Sequence, residues 1–139
     1  MENPMLEGNE KLSRSSPLFW FSLIAILGII FLGGRFLVAP HTASAAFGVP
    51  LDDGNGVAFA YTKGIRDIFS GLVGLPFLLT GRRRAVAWIL LIATIIPIAD
   101  GLIVMKFSGP RPQFLAIHWG AALYMVVLAF FLLKTPRRA

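Results

Sequence analysis

Six ionisable residues interrupt the apolar stretches of this sequence and could carry chemistry. We consider Asp67, Asp100 and His118 as proton-transfer residues and Arg35, Lys63 and Arg66 as ligand-binding residues. A carboxylate or an imidazole can move a proton, whereas a guanidinium or an ammonium can hold an oxygen or an anion. A charge among apolar residues is costly, so we expect these groups to face a protein interior and to pair there.

The apolar stretches are each long enough to cross a bilayer. The chain has 139 residues, of which 56% are hydrophobic and 14% charged, against about 25% charged in soluble domains. Roughly 20 apolar residues in a helix span the hydrocarbon core, and lipid-exposed backbone must satisfy its own hydrogen bonds. The sequence therefore predicts an all-α integral membrane protein, a four-helix bundle with spans at Leu18–Pro40, Val57–Leu79, Ala85–Phe107 and Phe114–Leu133.

Basic residues flank these stretches asymmetrically. Eight of the thirteen lie before the first span, between the second and third, and after the fourth, with Arg82–Arg84 as the central cluster. The positive-inside rule then predicts that both termini are cytoplasmic and that His41–Gly56 is a long loop on the far side. We expect a disordered polar tail over residues 1–16, one four-span domain over 17–135 and a basic tail over 136–139. The sequence does not say which membrane holds this multi-pass protein.

The spacing of the charges predicts specific ion pairs. Lys63 and Asp67 are four residues apart and share a helix face, while Arg66 is expected to point away from Asp67 and to pair with Asp100 on the third span. Arg35 then has no carboxylate and is available to a ligand or to the lipid interface. These pairs could also do no more than fix the packing of the helices. His118 favours a functional layer, because imidazole titrates near neutrality, although a bond to a backbone carbonyl would explain it equally well.

Several classes of function are not expected. There is no cysteine, which excludes disulfides and thiolate metal sites. We expect no metal, because cationic side chains accompany the few carboxylates, and no cofactor, because the sequence has no glycine-rich nucleotide motif. The basic residues flank apolar spans without a stacking surface, so we expect no nucleic-acid partner.

The sequence resembles the DUF4267 family of small four-span membrane proteins. The resemblance is carried by the short stretches RFLVAP at 35–40, AFGVP at 46–50, KGIRDI at 63–68, RRRA at 82–85 and IPIADG at 96–101, together with His118. It implies an architecture similar to DoxX-like four-helix membrane proteins, whose members include subunits of membrane redox assemblies. The family has no assigned activity, so the resemblance does not name a reaction.

Two functions remain open, and they differ in whether the protein is an enzyme. The first is binding or transformation of a lipophilic small molecule, with isomerase- or cyclase-type proton chemistry at the ionisable residues. The second is a non-enzymatic accessory or structural subunit that binds a quinone, a membrane partner or further copies of itself. An enzyme requires an apolar cavity that ends at the charged residues. In an accessory subunit, direct ion pairs between those residues would leave no cavity beside them.

Overall fold

The described part of the chain is entirely helical. The computed structural model describes residues 11–52 and 54–134, and these contain no strand. The helices are α1 (Pro17–Val38), α2 (Pro40–Phe47), α3 (Gly56–Leu79), α4 (Arg83–Ala93), α5 (Ile95–Ser108) and α6 (Pro112–Leu133). The prediction of an all-α fold is confirmed.

Local sequence signals account for most helix boundaries. Helices α1, α2 and α6 each begin at a proline, whose fixed φ angle suits the first turn and whose missing N–H is not needed there. The Ser16 side chain also accepts a hydrogen bond from the Leu18 N–H at 3.3 Å and caps α1. Helix α2 ends at Gly48, which adopts the left-handed conformation with φ of 109°.

Three helical segments are long and apolar enough to cross a membrane. Among the described residues they are Pro17–Val38, Arg83–Ser108 and Pro112–Leu133. Helix α3 has 24 residues but is not one of these segments. It is less apolar because it contains Lys63, Arg66 and Asp67. Large apolar side chains such as Phe31, Ile92 and Leu123 are exposed on the outer surface. These features indicate a protein that lies in a lipid bilayer.

Two local features differ from the sequence-based expectations, and a third is the break that Pro97 indicates in the sequence. The segment His41–Gly56, expected to be a loop, contains most of helix α2. The third apolar stretch is divided at Thr94, where Pro97 cannot bond to the Ala93 carbonyl and its ring crowds that group. Residues 11–16, expected to belong to a disordered tail, pack on the body through buried Leu12, whose N–H donates to the Gly81 carbonyl at 2.9 Å. The expected tails at 1–10 and 136–139 lie outside the described residues.

Glycines hold α1 and α3 in backbone contact. A Cβ atom at Gly64 would lie 2.7 Å from the Gly33 carbonyl oxygen, and one at Gly33 would lie 2.5 Å from the Gly64 carbonyl oxygen. Two turns further along α3, a Cβ atom at Gly71 would lie 2.9 Å from the Ile26 carbonyl oxygen. Such small residues allow helices in lipid to approach closely. Helix α1 therefore packs mainly against α3, while α4 and α5 pack mainly against α6.

The larger of two hydrophobic core clusters lies at the end of the molecule that holds the α3–α4 turn. Its buried members come from the chain before α1 and from α1, α3, α4 and α6: Leu12, Phe19, Ile26, Leu78, Val86, Ala87, Leu90, Leu128, Ala129 and Leu132. The ionisable residues named above lie toward the opposite end, where α2 joins α1. The fold thus separates an apolar half from a polar half.

Alanine at the α1–α3 contact should destabilise the fold. Gly64→Ala should lower the free energy of unfolding by about 1–3 kcal/mol, because the new methyl group meets a backbone oxygen that cannot move aside. Gly34→Ala is the matched control, since nothing lies within 4 Å of its Cβ position. Alanine there should be neutral or slightly stabilising. Thermal unfolding in detergent measures both variants, and equal melting temperatures would contradict the close packing.

Candidate functional site

The structure joins ionisable residues of α3 and α5 in one cluster of ion pairs. The ammonium Nζ of Lys63 on α3 lies 2.7 Å from Oδ2 of Asp67, one turn along the same helix. It also lies 3.3 Å from Oδ2 of Asp100 on α5. Asp67 is 1% exposed and Asp100 is 8% exposed, so both carboxylates share one ammonium away from solvent. The Lys63–Asp67 pair is present as expected, and Lys63 is also a partner of Asp100, which was not expected.

Arg66 occupies the outer edge of this cluster. Its Nη2 atom lies 3.8 Å from Oδ1 of Asp100, which agrees with the expected pairing of α3 with α5. The same atom lies 3.5 Å from Oδ1 of Asp67, so the expectation that Arg66 points away from Asp67 is wrong. A long side chain can reach back across the helix surface although its Cβ points elsewhere. Half of the Arg66 side chain is exposed, at 51%, so it contributes less than Lys63 to neutralising the carboxylates.

His118 on α6 is buried and bonded to helix α2. Its Nε2 atom lies 2.8 Å from the Phe47 carbonyl oxygen, which can only accept, so Nε2 must carry the proton. In the neutral imidazole, Nδ1 is then the nitrogen with a free lone pair. The Phe47 and His118 rings also pack edge to face at 4.6 Å between centroids. The bond to a backbone carbonyl foreseen from the sequence is present and orients the ring.

Two phenylalanines complete the surroundings of Lys63 and were not foreseen as site residues. The Lys63 ammonium lies 5.1 Å from the ring centre of Phe36 and 4.9 Å from that of Phe47. Such cation–π contacts stabilise a partly desolvated ammonium. Both residues stand in the stretches RFLVAP and AFGVP, beside Arg35 and Gly48. The signal was therefore in the sequence, but only the fold of α2 shows what Phe47 contacts.

A cavity of about 440 Å³ extends from the charged cluster into the molecule. Every helix contributes to its wall. The polar end is formed by Arg35, Lys63, Asp67, Asp100 and His118, and the rest is largely apolar, including Ile24, Ile29, Gly74, Val86, Leu90, Ile96 and Met125. Arg66 does not line it. The volume and the contrast between the two ends are typical of a site for a small lipophilic molecule.

Two groups at the polar end have unused capacity for polar contacts. Arg35 is half-buried and lines the cavity, and it forms no ion pair or hydrogen bond with the described residues. Oδ1 of Asp67 is buried and accepts no hydrogen bond, although the Arg66 guanidinium is near it. Buried polar atoms are normally satisfied, and the Arg66 guanidinium 3.5 Å away is the charged group nearest to Oδ1 of Asp67. A ligand in the cavity could provide the partner that Arg35 lacks.

The cluster is not arranged as a metal site. Within residues 11–52 and 54–134 no three His, Cys, Asp or Glu side chains are grouped so that they could hold a metal ion. The two carboxylates instead converge on the Lys63 ammonium, which occupies the position between them. The chemistry that this arrangement supports is binding of a polar group and transfer of a proton.

An all-helical protein with an apolar surface and an interior of paired charges belongs to the class of helical membrane proteins. The chain matches the profile of the family described as "Domain of unknown function (DUF4267)" over residues 27–132, and it belongs to that family. The matched region contains all six ionisable residues of the site. No curated protein and no solved structure matches the chain.

Removal of Lys63 should cost far more stability than removal of Arg66. Lys63→Met leaves two buried carboxylates with only a half-exposed guanidinium nearby and should cost about 3–5 kcal/mol. Arg66→Met removes an exposed charge and should cost about 1 kcal/mol or less. Denaturant unfolding of both variants in detergent checks this order. Losses of equal size would mean that Lys63 is not the central partner.

Proposed function

We propose that α1, α3, the α4–α5 pair and α6 cross the bilayer as a four-span bundle of DoxX-like architecture. At 1.5 Å per residue the 24 residues of α3 extend about 36 Å, enough for one crossing. Its buried charge faces the interior, where it is paired, which makes a charged span tolerable. The basic segments also share one end of the molecule, because Leu12 bonds to Gly81 and Arg83 donates to the Lys134 carbonyl oxygen at 2.9 Å. We assign this end to the cytoplasm.

Cysteine labelling tests this topology, and the cysteine-free chain provides a clean background. Thr42→Cys lies on exposed α2 surface and Thr80→Cys lies in the exposed α3–α4 turn, whereas Ser44 is buried and unsuitable. A membrane-impermeant thiol reagent added to intact bacterial cells that express the protein should label Thr42→Cys and not Thr80→Cys. Both should react after the cells are broken. Labelling of Thr80→Cys in intact cells would overturn the orientation.

We propose that the protein binds a lipophilic small molecule in the cavity and transforms it by proton transfer, as an isomerase or cyclase does. The observation that carries this proposal is the cavity of about 440 Å³, whose apolar wall ends at the charged cluster. The apolar part would take the body of the ligand, and the cluster would take its polar end. Exclusion of water from such a site strengthens each electrostatic contact made there.

Each residue at the polar end has a distinct role in this proposal. Arg35 has no carboxylate partner and would hold a carbonyl or carboxylate oxygen of the ligand. His118, with its Nε2 proton committed to the Phe47 carbonyl, would accept and return a proton at Nδ1. The carboxylates of Asp67 and Asp100, which lie against the Lys63 ammonium, would stabilise positive charge that develops nearby.

The alternative is an accessory subunit without catalytic activity. It is favoured by the direct ion pairs that join α3 and α5, since these pairs alone would suffice to hold helices together. They do not close the cavity, however, and Arg35 and His118 line it outside those pairs. We therefore treat the accessory role as the outcome that the following experiment can reveal.

A bulky residue in the cavity wall should abolish ligand binding. The protein purified in mild detergent should carry a lipophilic molecule that mass spectrometry detects after extraction. Ala121→Phe, which fills the cavity from α6, should lose this molecule. Ala116→Phe should keep it, because Ala116 is exposed on the same helix, as Ala121 is, but does not line the cavity. Equal retention by the two variants would contradict a ligand in this cavity.

Proton chemistry can be tested before the reaction is known. In deuterium oxide the bound molecule should gain mass, because His118 would return deuterium to the carbon from which it takes a proton. His118→Gln should still retain the molecule but should lose this exchange. Retention of the molecule by the wild-type protein without any exchange would refute the catalytic role and favour an accessory or carrier protein.

A further inference from the structure

We infer that the ligand is a single-chain amphiphile with a monoanionic carboxylate head, and that Arg35 binds this head. The inference rests on the proposed ligand-binding function and specifies its substrate class. It is carried by the charge balance of the cluster, the hydrogen bonds of the cavity wall and the dimensions of the cavity.

The charge balance of the cluster leaves one cation in excess. Lys63 and Arg66 each contact both Asp67 and Asp100, so two cations neutralise two carboxylates. Arg35 is the remaining cation that lines the cavity, and it has no anionic partner among the described residues. Its half-buried position lowers the local dielectric and makes an unpaired charge costly. One bound negative charge would give Arg35 the anionic partner that it lacks.

A carboxylate fits a guanidinium better than a neutral polar head does. The guanidinium presents two parallel N–H donors that match the two oxygens of a carboxylate, and such charge-assisted pairs are about twice as strong as neutral ones. An alcohol or an ester of the same chain offers neither the charge nor the two equivalent acceptors. Arg35 should therefore discriminate among ligands by their head group.

The remainder of the wall has no free hydrogen-bond donor for a second polar group. Among the lining residues outside the charged cluster, Ser70 and Tyr124 carry hydroxyl groups. The Ser70 hydroxyl donates to the Arg66 carbonyl oxygen at 2.8 Å, and the Tyr124 hydroxyl donates to the Phe21 carbonyl oxygen at 2.8 Å. A hydrogen-bond acceptor of the ligand placed here would lose its bonds to water and would find no free side-chain donor. This wall therefore favours an apolar body for the ligand.

The dimensions of the cavity favour one chain. Along α1 its wall extends from Ile24 to Arg35, which is about 16 Å at 1.5 Å per residue. The volume of about 440 Å³ lies in the lower part of the range of about 300–1,000 Å³ seen for small-molecule sites. A long, narrow space with its cation at one end suits a fatty carboxylate better than a two-chain phospholipid.

Photoaffinity labelling of the full-length protein in phosphatidylcholine nanodiscs tests the inference. The probe is a long-chain fatty carboxylate with a diazirine in its chain, and the competitors are oleate, methyl oleate and oleyl alcohol. Oleate should compete at least about tenfold more strongly than the two neutral compounds, as expected for a hydrogen bond to a charged group. Arg35→Gln should reduce oleate to the level of the alcohol. Arg111→Gln is the matched control, because this arginine is exposed and lies outside the cavity.

The outcomes separate the inference from the function on which it rests. Equal competition by oleate and oleyl alcohol on the unaltered chain would overturn the carboxylate, and it requires no variant to fold. If Ala121→Phe still abolished labelling in that case, ligand binding in the cavity would stand. Displacement of the probe by phosphatidylglycerol as readily as by oleate would overturn the single-chain assignment. Labelling that is unaffected by Ala121→Phe would overturn the cavity site itself, and the inference with it.

Discussion

The contact of one ammonium with two buried carboxylates is the interaction on which the polar half of the protein depends. Lys63 joins Asp67 on its own helix and Asp100 on α5. In an apolar interior none of the three charges could be tolerated alone, since each would lose its hydration without replacement. Their mutual neutralisation therefore links α3 to α5 in a defined register. It also holds the charged cluster at the end of the cavity.

The cavity exists because the two sides of the molecule are held together by different forces. On one side, glycines bring the α1 and α3 backbones into direct contact and leave no space between them. On the other side, α3 and α5 are joined through side chains that reach across a gap. Close packing of α1 on α3, beside the contact of α3 with α5 through side chains, leaves a space that residues of all six helices line.

Helix α2 turns this space into a site with a defined polar end. Ala43, Ala46 and Phe47 line the cavity, and Gly48 lies so close to α6 that a Cβ atom would meet the Phe114 ring at 2.8 Å. The Phe47 ring packs on Lys63, and the Phe47 carbonyl oxygen accepts a hydrogen bond from Nε2 of His118. One residue therefore places the ammonium and selects the histidine tautomer. This coupling explains how a short segment outside the long helices contributes to the chemistry.

The amino-acid sequence by itself determined the helical class, the approximate extent of the long helices and the six ionisable residues. The length of an apolar stretch and the charged residues within it can both be read directly from the order of the amino acids. The i, i+4 pair of Lys63 and Asp67 was equally predictable, because helix geometry alone places the two side chains together. Only the tertiary structure decided that Lys63 also binds Asp100, that Arg66 turns toward Asp67, and that residues 40–47 form a helix whose carbonyl orients His118. The Lys63–Asp100 contact joins residues 37 positions apart and the Phe47–His118 contact residues 71 positions apart, and both depend on how closely the helices approach. The distance between two helices depends on the small residues at their contact, and the effect of these residues appears only when the helices are packed together.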